Sequence, residues 1–441
     1  MSILAVRRWD ALDAAGQARL LARSTGAIFD PELMASIEGL FTDVKARGDA
    51  AVVEATDRFD GVRIAPGDLR VRPDELAAAH AATRPSLLAG IREAIANSRL
   101  FNEAQVRATA TGWREEVRPG FLVGEQVAPI PSAGLYVPAG KGSFPSVLCQ
   151  IGTPAVVAGV TEVAVLVPPM PRTGAVDPAT LATAHELGLT NVFRSNGPAG
   201  IAALTFGTET FPRVRKIVGP GSPAVTASQV LAQRYGTATN MLCGPSESLL
   251  IADATADPQR LALDLVNEAE HGTDSAALLV TDSPALAARL EPAVAAAVAS
   301  LPEPRRAYAT AVLGNLGGVL LFDTMDDAVA FANVYAAEHC EIATADTEAT
   351  LRSLRYAGEA LLGQDTPIGA SSYTIGIPAT LPTGGYAQLN GGVTARTFQT
   401  TTSIAQLSPS ALAGLAGPTI ALADHEGFPA HANAFRGRGL G

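Results

Sequence analysis

From about residue 121 to about residue 392, short β-rich runs alternate with stretches rich in alanine and leucine. The runs are "AGLYVPAG", "VTEVAVLVPP", "TNVFRSNG", "VRKIVGPG", "ESLLIADA", "SAALLVTDS", "GGVLLFD" and "GEALLG". Parallel strands need a long crossover connection, and the usual crossover is a helix. The alternation therefore predicts an α/β fold with parallel sheets covered by helices on both faces. It continues through well over half of the 441 residues, too far for one ordinary doubly wound sheet. Two sheet domains are expected.

The flanking segments read differently. Residues 1–120 look mainly helical, and "PSLLAGIREAIANSRLFNEAQV" is their longest periodic run. From about residue 393 onward the chain reads as a short helical tail, too small to hold a core alone. It should dock on the body or on a second subunit. It carries His425, Glu426 and His431, which are costly to bury without partners.

Composition excludes some functions. The net charge of −11 argues against nucleic acid, since phosphate binding needs clustered lysine and arginine. The start "MSILAVRRWD" lacks the apolar run of a signal peptide. The most apolar stretch, "VAVLVPPMP", is cut short by prolines and is too brief to span a bilayer. A cytoplasmic location without membrane association is expected. Cys149, Cys243 and Cys340 fall in no paired motif and read as reduced thiols.

Two Ala-Glu-His triplets stand out. The first closes "ADPQRLALDLVNEAEHG", a well-marked helix. Asp257 suits its N-cap, Pro258 its first turn and Gly272 its C′ position. Leu261, Leu265 and Glu268 fall at i, i+4 and i+7, which turns Glu268 inward with the apolar face. His271 is three residues on, along the same face. Glu270 lies about 200° around the helix from Glu268 and should be solvated. An inward Glu and His at this spacing can hold a metal, or can form a buried hydrogen-bonded pair.

The second triplet closes "TMDDAVAFANVYAAEHCEIAT". Thr324 is a candidate cap, and Phe331 and Tyr335 mark the buried side. Glu338 and His339 fall where the helix gives way to a strand, "EIAT". Adjacent residues there point different ways, so they can act as separate proton carriers in one cleft. A histidine that only caps a helix C-terminus is the alternative.

Two glycine loops follow expected strands. "YVPAGKGSFPS" offers Gly140, Lys141 and Gly142, and "VGPGSPAV" matches G-x-G-x-x-A with Gly219, Gly221 and Ala224. No acidic residue stands about 20 positions after the second loop to bind a ribose. A structural turn explains it equally well.

Taken together, "GLYVPAG", "IAALTFGTE", "KIVGPGS", "GPSESLLIAD", "EAEHGTDS", "AEHCEIAT", "LPTGGYA" and "PAHANAF" resemble the histidinol dehydrogenase family, in the same order and across nearly the whole chain. The resemblance implies a zinc- and NAD-dependent enzyme that oxidises an alcohol through an aldehyde, in the family L-histidinol to L-histidine. It also implies an intertwined homodimer with two related, incomplete Rossmann-like domains. Residues 1–26 would then form an N-terminal helical segment. Residues 27–135 with 247–392 would form the substrate and metal domain, 136–246 the nucleotide domain, and 393–441 a dimerisation tail. By motif, Glu338 resembles the base that activates water and His339 the acid/base for the alcohol proton. His271 and His431 match zinc ligands. Ser246 and Glu426 match substrate-contacting positions, and Tyr136 a nucleotide-contacting one.

The departures from the family concentrate at this site. Glu268 stands where the family has a glutamine ligand, and Ser372 where it has an aspartate ligand. Pro378-Ala379 replaces an Asn-His pair. On the nucleotide side, Ala199 replaces a glutamine and Ser222 an asparagine. Glutamate with two histidines is a well-used zinc set, whereas a neutral hydroxyl is a poor ligand. Three readings follow: a zinc- and NAD-dependent dehydrogenase using Glu268, His271 and His431; a diverged paralogue that oxidises another alcohol with altered or no metal; and a non-redox, metal-assisted hydrolase or a catalytically silent binding protein on the same scaffold.

Overall fold

The structure is a computed structural model of the chain, and it describes residues 3–23, 25–109, 112–139, 142–171 and 173–440. Gly140 and Lys141 of the first glycine loop lie outside the described residues.

In chain order, strand β1 is Val6–Arg8, β2 Trp113–Arg118 and β3 Phe121–Pro129. Strands β4 (Ser132–Tyr136), β5 (Glu162–Val167), β6 (Val192–Arg194), β7 (Lys216–Val218) and β8 (Ala238–Thr239) form one parallel sheet, in the order β6-β5-β4-β7-β8. Strands β9 (Glu247–Ala252), β10 (Ala276–Thr281), β11 (Gly318–Leu321), β12 (His339–Ala343) and β13 (Glu359–Leu362) form a second, with β1 added beside β11. Strand β14 is Gln399–Leu407. Both parallel sheets start in the middle, run two strands to one side, then reverse and add two on the other. This is the Rossmann-type order, and the reversals fall between β4 and β7 and between β9 and β12.

The apolar runs reflect strands buried on both faces. In the second sheet, Leu250, Ala252, Ala277 and Leu279 pack under helices Pro258–Ala269 and Pro284–Ser300. Their neighbours Leu249, Ile251, Leu278 and Val280 pack on the other face with helix Met325–Tyr335. In the first sheet, Leu166, Phe193 and Ile217 share a core with Ile37, Phe41 and Val44 of helix Pro31–Arg47. That helix falls in the segment expected to accompany the other sheet. Periodicity marks a helix but not which sheet it covers. The expected change of domain between residues 135 and 136 falls inside β4, and the N-terminal segment contributes the edge strand β1 as well as a helix.

The chain divides into two compact units, residues 1–103 with 131–398 and residues 104–130 with 399–441. The first holds both parallel sheets. The second is an antiparallel sheet in the order β14-β3-β2, with helices Pro409–His425 and Pro429–Arg436. The tail is therefore not helical throughout. Its threonine-rich run pairs with β3 over nine residues, a partner some 270 positions away that no local pattern reveals. Cys149, Cys243 and Cys340 are free and buried. Among the described residues, no helix is long and apolar enough to cross a membrane.

One polar feature of the core bears on stability. Glu341 of β12 is fully buried, Asp264 of helix Pro258–Ala269 is nearly so, and their carboxyls face each other. Among the described residues, neither Glu341 oxygen receives a hydrogen bond from a donor group. Two ionised carboxylates cannot bond, so the pair is satisfied when it shares one proton. Burial, with Asp264 beside it, pushes Glu341 up to about 8. A carboxyl raised on folding stabilises fully below its unfolded value, and that contribution is lost as pH rises through the folded one. Melting temperature is expected to fall as pH rises from about 5 to about 8, where the unfolded carboxyl has ionised and the folded pair still keeps its proton. Glu341→Gln should flatten that decline. Equal declines in thermal melts of the two proteins would refute the shared proton.

Candidate functional site

Helix Pro258–Ala269 begins as its sequence requires. The Asp257 carboxylate accepts from the Gln259 N–H, and Pro258 occupies the first turn. Leu261, Leu265 and Glu268 are buried, so the apolar stripe delivers a carboxylate inward at the helix end. The helix stops at Ala269 with Glu270 in right-handed geometry, so Gly272 is not needed as a left-handed cap. Stopping there lets His271 swing outward. Its Nε2 lies 3.8 Å from Glu268 Oε2 and its Nδ1 3.2 Å from Ser246 Oγ. Glu268 Oε1 accepts from Asn267. Glu268 Oε2 is buried and, among the described residues, has no hydrogen-bond partner. An unpartnered carboxylate oxygen beside an imidazole nitrogen is a place for a cation.

The second triplet sits opposite. Thr324 caps helix Met325–Tyr335, and Ala336 takes a left-handed turn at φ 47° that ends it. Glu338 follows, and His339 is the first residue of β12. Glu247 opens β9 and Glu359 opens β13, the two strands flanking β12, so the three amino-terminal strand ends bring these side chains together. His339 Nδ1 lies 2.5 Å from Glu359 Oε1, and the Ser371 hydroxyl donates to the other oxygen of Glu359. His339 Nε2 faces Glu338 Oε1 at 3.9 Å, beyond hydrogen-bond reach. Glu338 Oε2 accepts from the Glu247 N–H at 3.1 Å. Behind Glu247, the Arg23 Nε lies 3.1 Å from its carboxylate, and the guanidinium stacks 3.6 Å over the Tyr335 ring.

Burial dominates the electrostatics here. It raises the Glu338 carboxyl well above the usual range; His339 opposes the rise, and Glu268 and Glu247 add to it. Burial alone would lower His339, but Glu338, Glu359 and Glu268 outweigh it and hold the ring protonated up to about 10. The charge on His339 thus comes from carboxylates and not from the helix end. Burial also lifts Glu247 to about 7 against the pull of Arg23. Arg23, Glu247, Glu359 and Ser371 were not singled out by the sequence. A lone acid opening an apolar strand, as in "ESLLIA" and "EALL", is the signal that could have found two of them.

The remaining expected residues fall elsewhere. Ser372 donates its hydroxyl to the Ile368 carbonyl of its own helix, so its polar group is already partnered. Glu426 and His431 belong to the second unit and are exposed, with His431 edge-on to Phe428 at 5.5 Å. Among the described residues, no three histidine, cysteine, aspartate or glutamate side chains form a ready metal cluster.

On the other sheet, Tyr136 ends β4 and is buried. A Cβ at Gly197 or Gly221 would lie 3.0 or 3.1 Å from the Tyr136 ring, so helices Gly197–Phe206 and Pro223–Gln233 start side by side against it. Gly219 has φ 141°, and a Cβ there would sit 2.1 Å from the Tyr136 carbonyl oxygen. The glycine match therefore follows β7, the fourth strand of its sheet, whereas a dinucleotide fingerprint follows the first. Ser222 is exposed at the N-cap of the second helix with its hydroxyl unused for capping. Ala199 is fully enclosed and its N–H is bonded to Asn196, so it presents no polar group outward. Beyond the carboxyl ends of β4 and β5 lies a cavity of about 390 Å³ lined by Ala139, Gly142, Ser143, Met170, Thr173 and Asp177.

Comparison with known proteins gives a consistent result. The family model Histidinol dehydrogenase matches residues 25–439. A histidinol dehydrogenase from Synechocystis is 38% identical over 407 residues, covering 92% of this chain and 93% of that protein. A histidinol dehydrogenase homolog from Colwellia psychrerythraea is 38% identical over 400 residues, 90% of this chain and 89% of its own. The crystal structure of histidinol dehydrogenase from Elizabethkingia anophelis superimposes with a TM-score of 0.91 at 30% identity, covering 99% of this chain and 98% of that one.

Proposed function

The chain belongs to the histidinol dehydrogenase family of oxidoreductases, and from that premise we propose that it oxidises a small primary alcohol through an aldehyde, with zinc and NAD, at the amino-terminal edge of the six-stranded sheet. The observation that carries this reading is that Glu268, paired with His271 at 3.8 Å, also lies close enough to Glu338 and His339 to act on the charge of both.

When bound, zinc would supply a Lewis acid that anchors and polarises the substrate, and NAD would supply the hydride acceptor. The residues suit both groups. Glu268 Oε2 is a buried oxygen without a donor, and His271 Nε2 lies beside it while Ser246 engages the other ring nitrogen. His431 of the partner subunit would complete the two-histidine, one-carboxylate set, with Glu426 beside it toward substrate. The second unit supports such a homodimer. All of β2 is exposed, and so are Leu422 and Phe428, a surface that a second subunit would cover. On the nucleotide side, two helix amino termini meet at Tyr136, and the positive ends of their dipoles suit a diphosphate. Ser222 adds a hydroxyl there.

The protein's own groups handle the protons. His339 Nε2 accepts the alcohol proton in the first oxidation. Glu338, whose basicity burial increases, takes a proton from water as the hydroxyl adds to the aldehyde carbon. The second oxidation then yields a carboxylic acid.

Ser372 and Pro378-Ala379, with no polar group offered outward at Ser372, favour a substrate other than histidinol. Supplying NAD with a panel of amino alcohols and simple alcohols, read by NADH absorbance, should give two NADH per substrate for at least one primary alcohol. No NADH with any alcohol, or hydrolysis of esters instead, would reject the proposal. Turnover of histidinol above all others would reject the altered specificity alone.

A further inference from the structure

We infer that Glu359, backed by Ser371, is a positioning residue that fixes the tautomer of His339, keeping a hydrogen on Nδ1 and leaving Nε2 free to exchange protons with the substrate. The inference rests on the reading of His339 as the proton carrier and adds the device that prepares it.

The register makes the arrangement. Strands β12 and β13 are parallel neighbours, and His339 pairs directly with Glu359. Side chains at paired positions project to the same side, so a glutamate at the start of β13 must meet the imidazole. Glu359 is buried, its side chain only 3% exposed. A carboxylate in such a place persists when both oxygens find donors. Both do: Oε1 lies 2.5 Å from His339 Nδ1, and Oε2 accepts from the Ser371 hydroxyl. An ionised carboxylate can only accept, so the hydrogen between Glu359 and the ring belongs to Nδ1. Nε2 is then the nitrogen that gains and loses a proton, and it faces Glu338 across 3.9 Å, a gap left open for a reacting group.

This is the logic of a buried acid behind a catalytic imidazole, where the acid sets the tautomer and steadies the imidazolium without itself taking the proton. Other charged groups also face the ring. Glu338 and Glu268 approach it from β12's approach segment and from helix Pro258–Ala269, and Glu247 lies behind Glu338 with Arg23. Removing Glu359 therefore leaves some of the field but removes the only one of these contacts made to Nδ1. Ser371 acts one step further back by holding the second oxygen of Glu359.

The test is a comparison of full-length wild-type protein with Glu359→Gln, Glu359→Asp and Ser371→Ala. The His339 ring is followed by ¹⁵N NMR, with His339→Gln identifying the signal, as purified and after chelation. In Glu359→Gln the ring should lose its proton at a pH lower by about one unit or more, with Nδ1 no longer the fixed protonated site. Turnover should fall by roughly 10- to 1,000-fold, with the acid limb of its pH profile shifted the same way. Glu359→Asp should restore part of both, and Ser371→Ala should give a smaller shift in the same direction. A folded Glu359→Gln whose ring titration and tautomer match wild type overturns the inference. Should Glu359→Gln not fold, an unshifted ring in Ser371→Ala overturns it instead. A shifted ring with unaltered turnover upholds the positioning and removes His339 from the reaction, so the two readings fail separately.

Discussion

His339→Gln is expected to lower turnover by about 10²- to 10⁴-fold, the usual contribution of a positioned acid–base group, with little change in fold. Glutamine keeps the size and can still donate from its amide to Glu359, so the buried carboxylate is not stranded. What it lacks is a nitrogen that can take and release a proton. The pH dependence of the wild-type enzyme carries the sign. Burial works against a proton on His339, but the carboxylates of Glu338, Glu359 and Glu268 hold it there up to about 10. A base must first be unprotonated, so the rate should climb from neutral pH toward that value and not level off near 6.5 as for an ordinary histidine. Glu338→Gln should behave differently. It leaves the alcohol step and removes the base for water, so NADH yield per substrate should fall from two toward one as aldehyde accumulates. If His339→Gln retains wild-type rates across this pH range, another group carries the alcohol proton.

How much of this was legible beforehand depends on whether the information is local. Strands β4–β7 and β9–β13 are visible because burial on both faces forces a run of apolar residues, and a run survives in one dimension. β8 is only two residues long, and β1, with Val6 and Arg8 exposed, carries no buried apolar run. β2, as "WREEVR", is exposed along its length and pairs with β3, which pairs with β14 from the far end of the chain. Exposed antiparallel strands carry no such run, and their pairing is a tertiary fact.

The site divides the same way. Glu268 and His271 are readable because helical spacing places them, and Glu338 and His339 because they end a helix that gives way to a strand. The Glu359 contact comes from strand register, twenty residues away, and the Arg23–Glu247 pair from segments far apart in the chain that meet only on folding. The general rule for α/β sheets points to the carboxyl ends of strands. Here the proposed proton carriers stand at the amino end of β12, between the amino ends of β9 and β13, while the proposed nucleotide side would keep to the rule. On that reading the second sheet, with the same strand order, would be used from its opposite edge, which the order alone does not disclose.

Glu268→Ala is expected to strip the metal. The wild-type protein, purified with zinc available, should carry close to one zinc per chain by elemental analysis. Removing the carboxylate would delete the one anionic member of the proposed three-donor set, and losses beyond the 10- to 100-fold seen for outer-shell partners are expected in affinity. His271→Ala should do the same, and Ser246→Ala less, because its hydroxyl only steadies the far nitrogen of that ring. Ser372→Ala should leave zinc content unaltered, since that hydroxyl already bonds within its helix. His431→Ala discriminates further. If the tail of one subunit completes the site of the other, this variant should lose zinc while remaining dimeric in sedimentation. Wild-type protein diluted until it dissociates should lose zinc and activity together. A monomer that keeps both would remove the shared site. A wild-type protein free of zinc under replete conditions would remove the metal altogether.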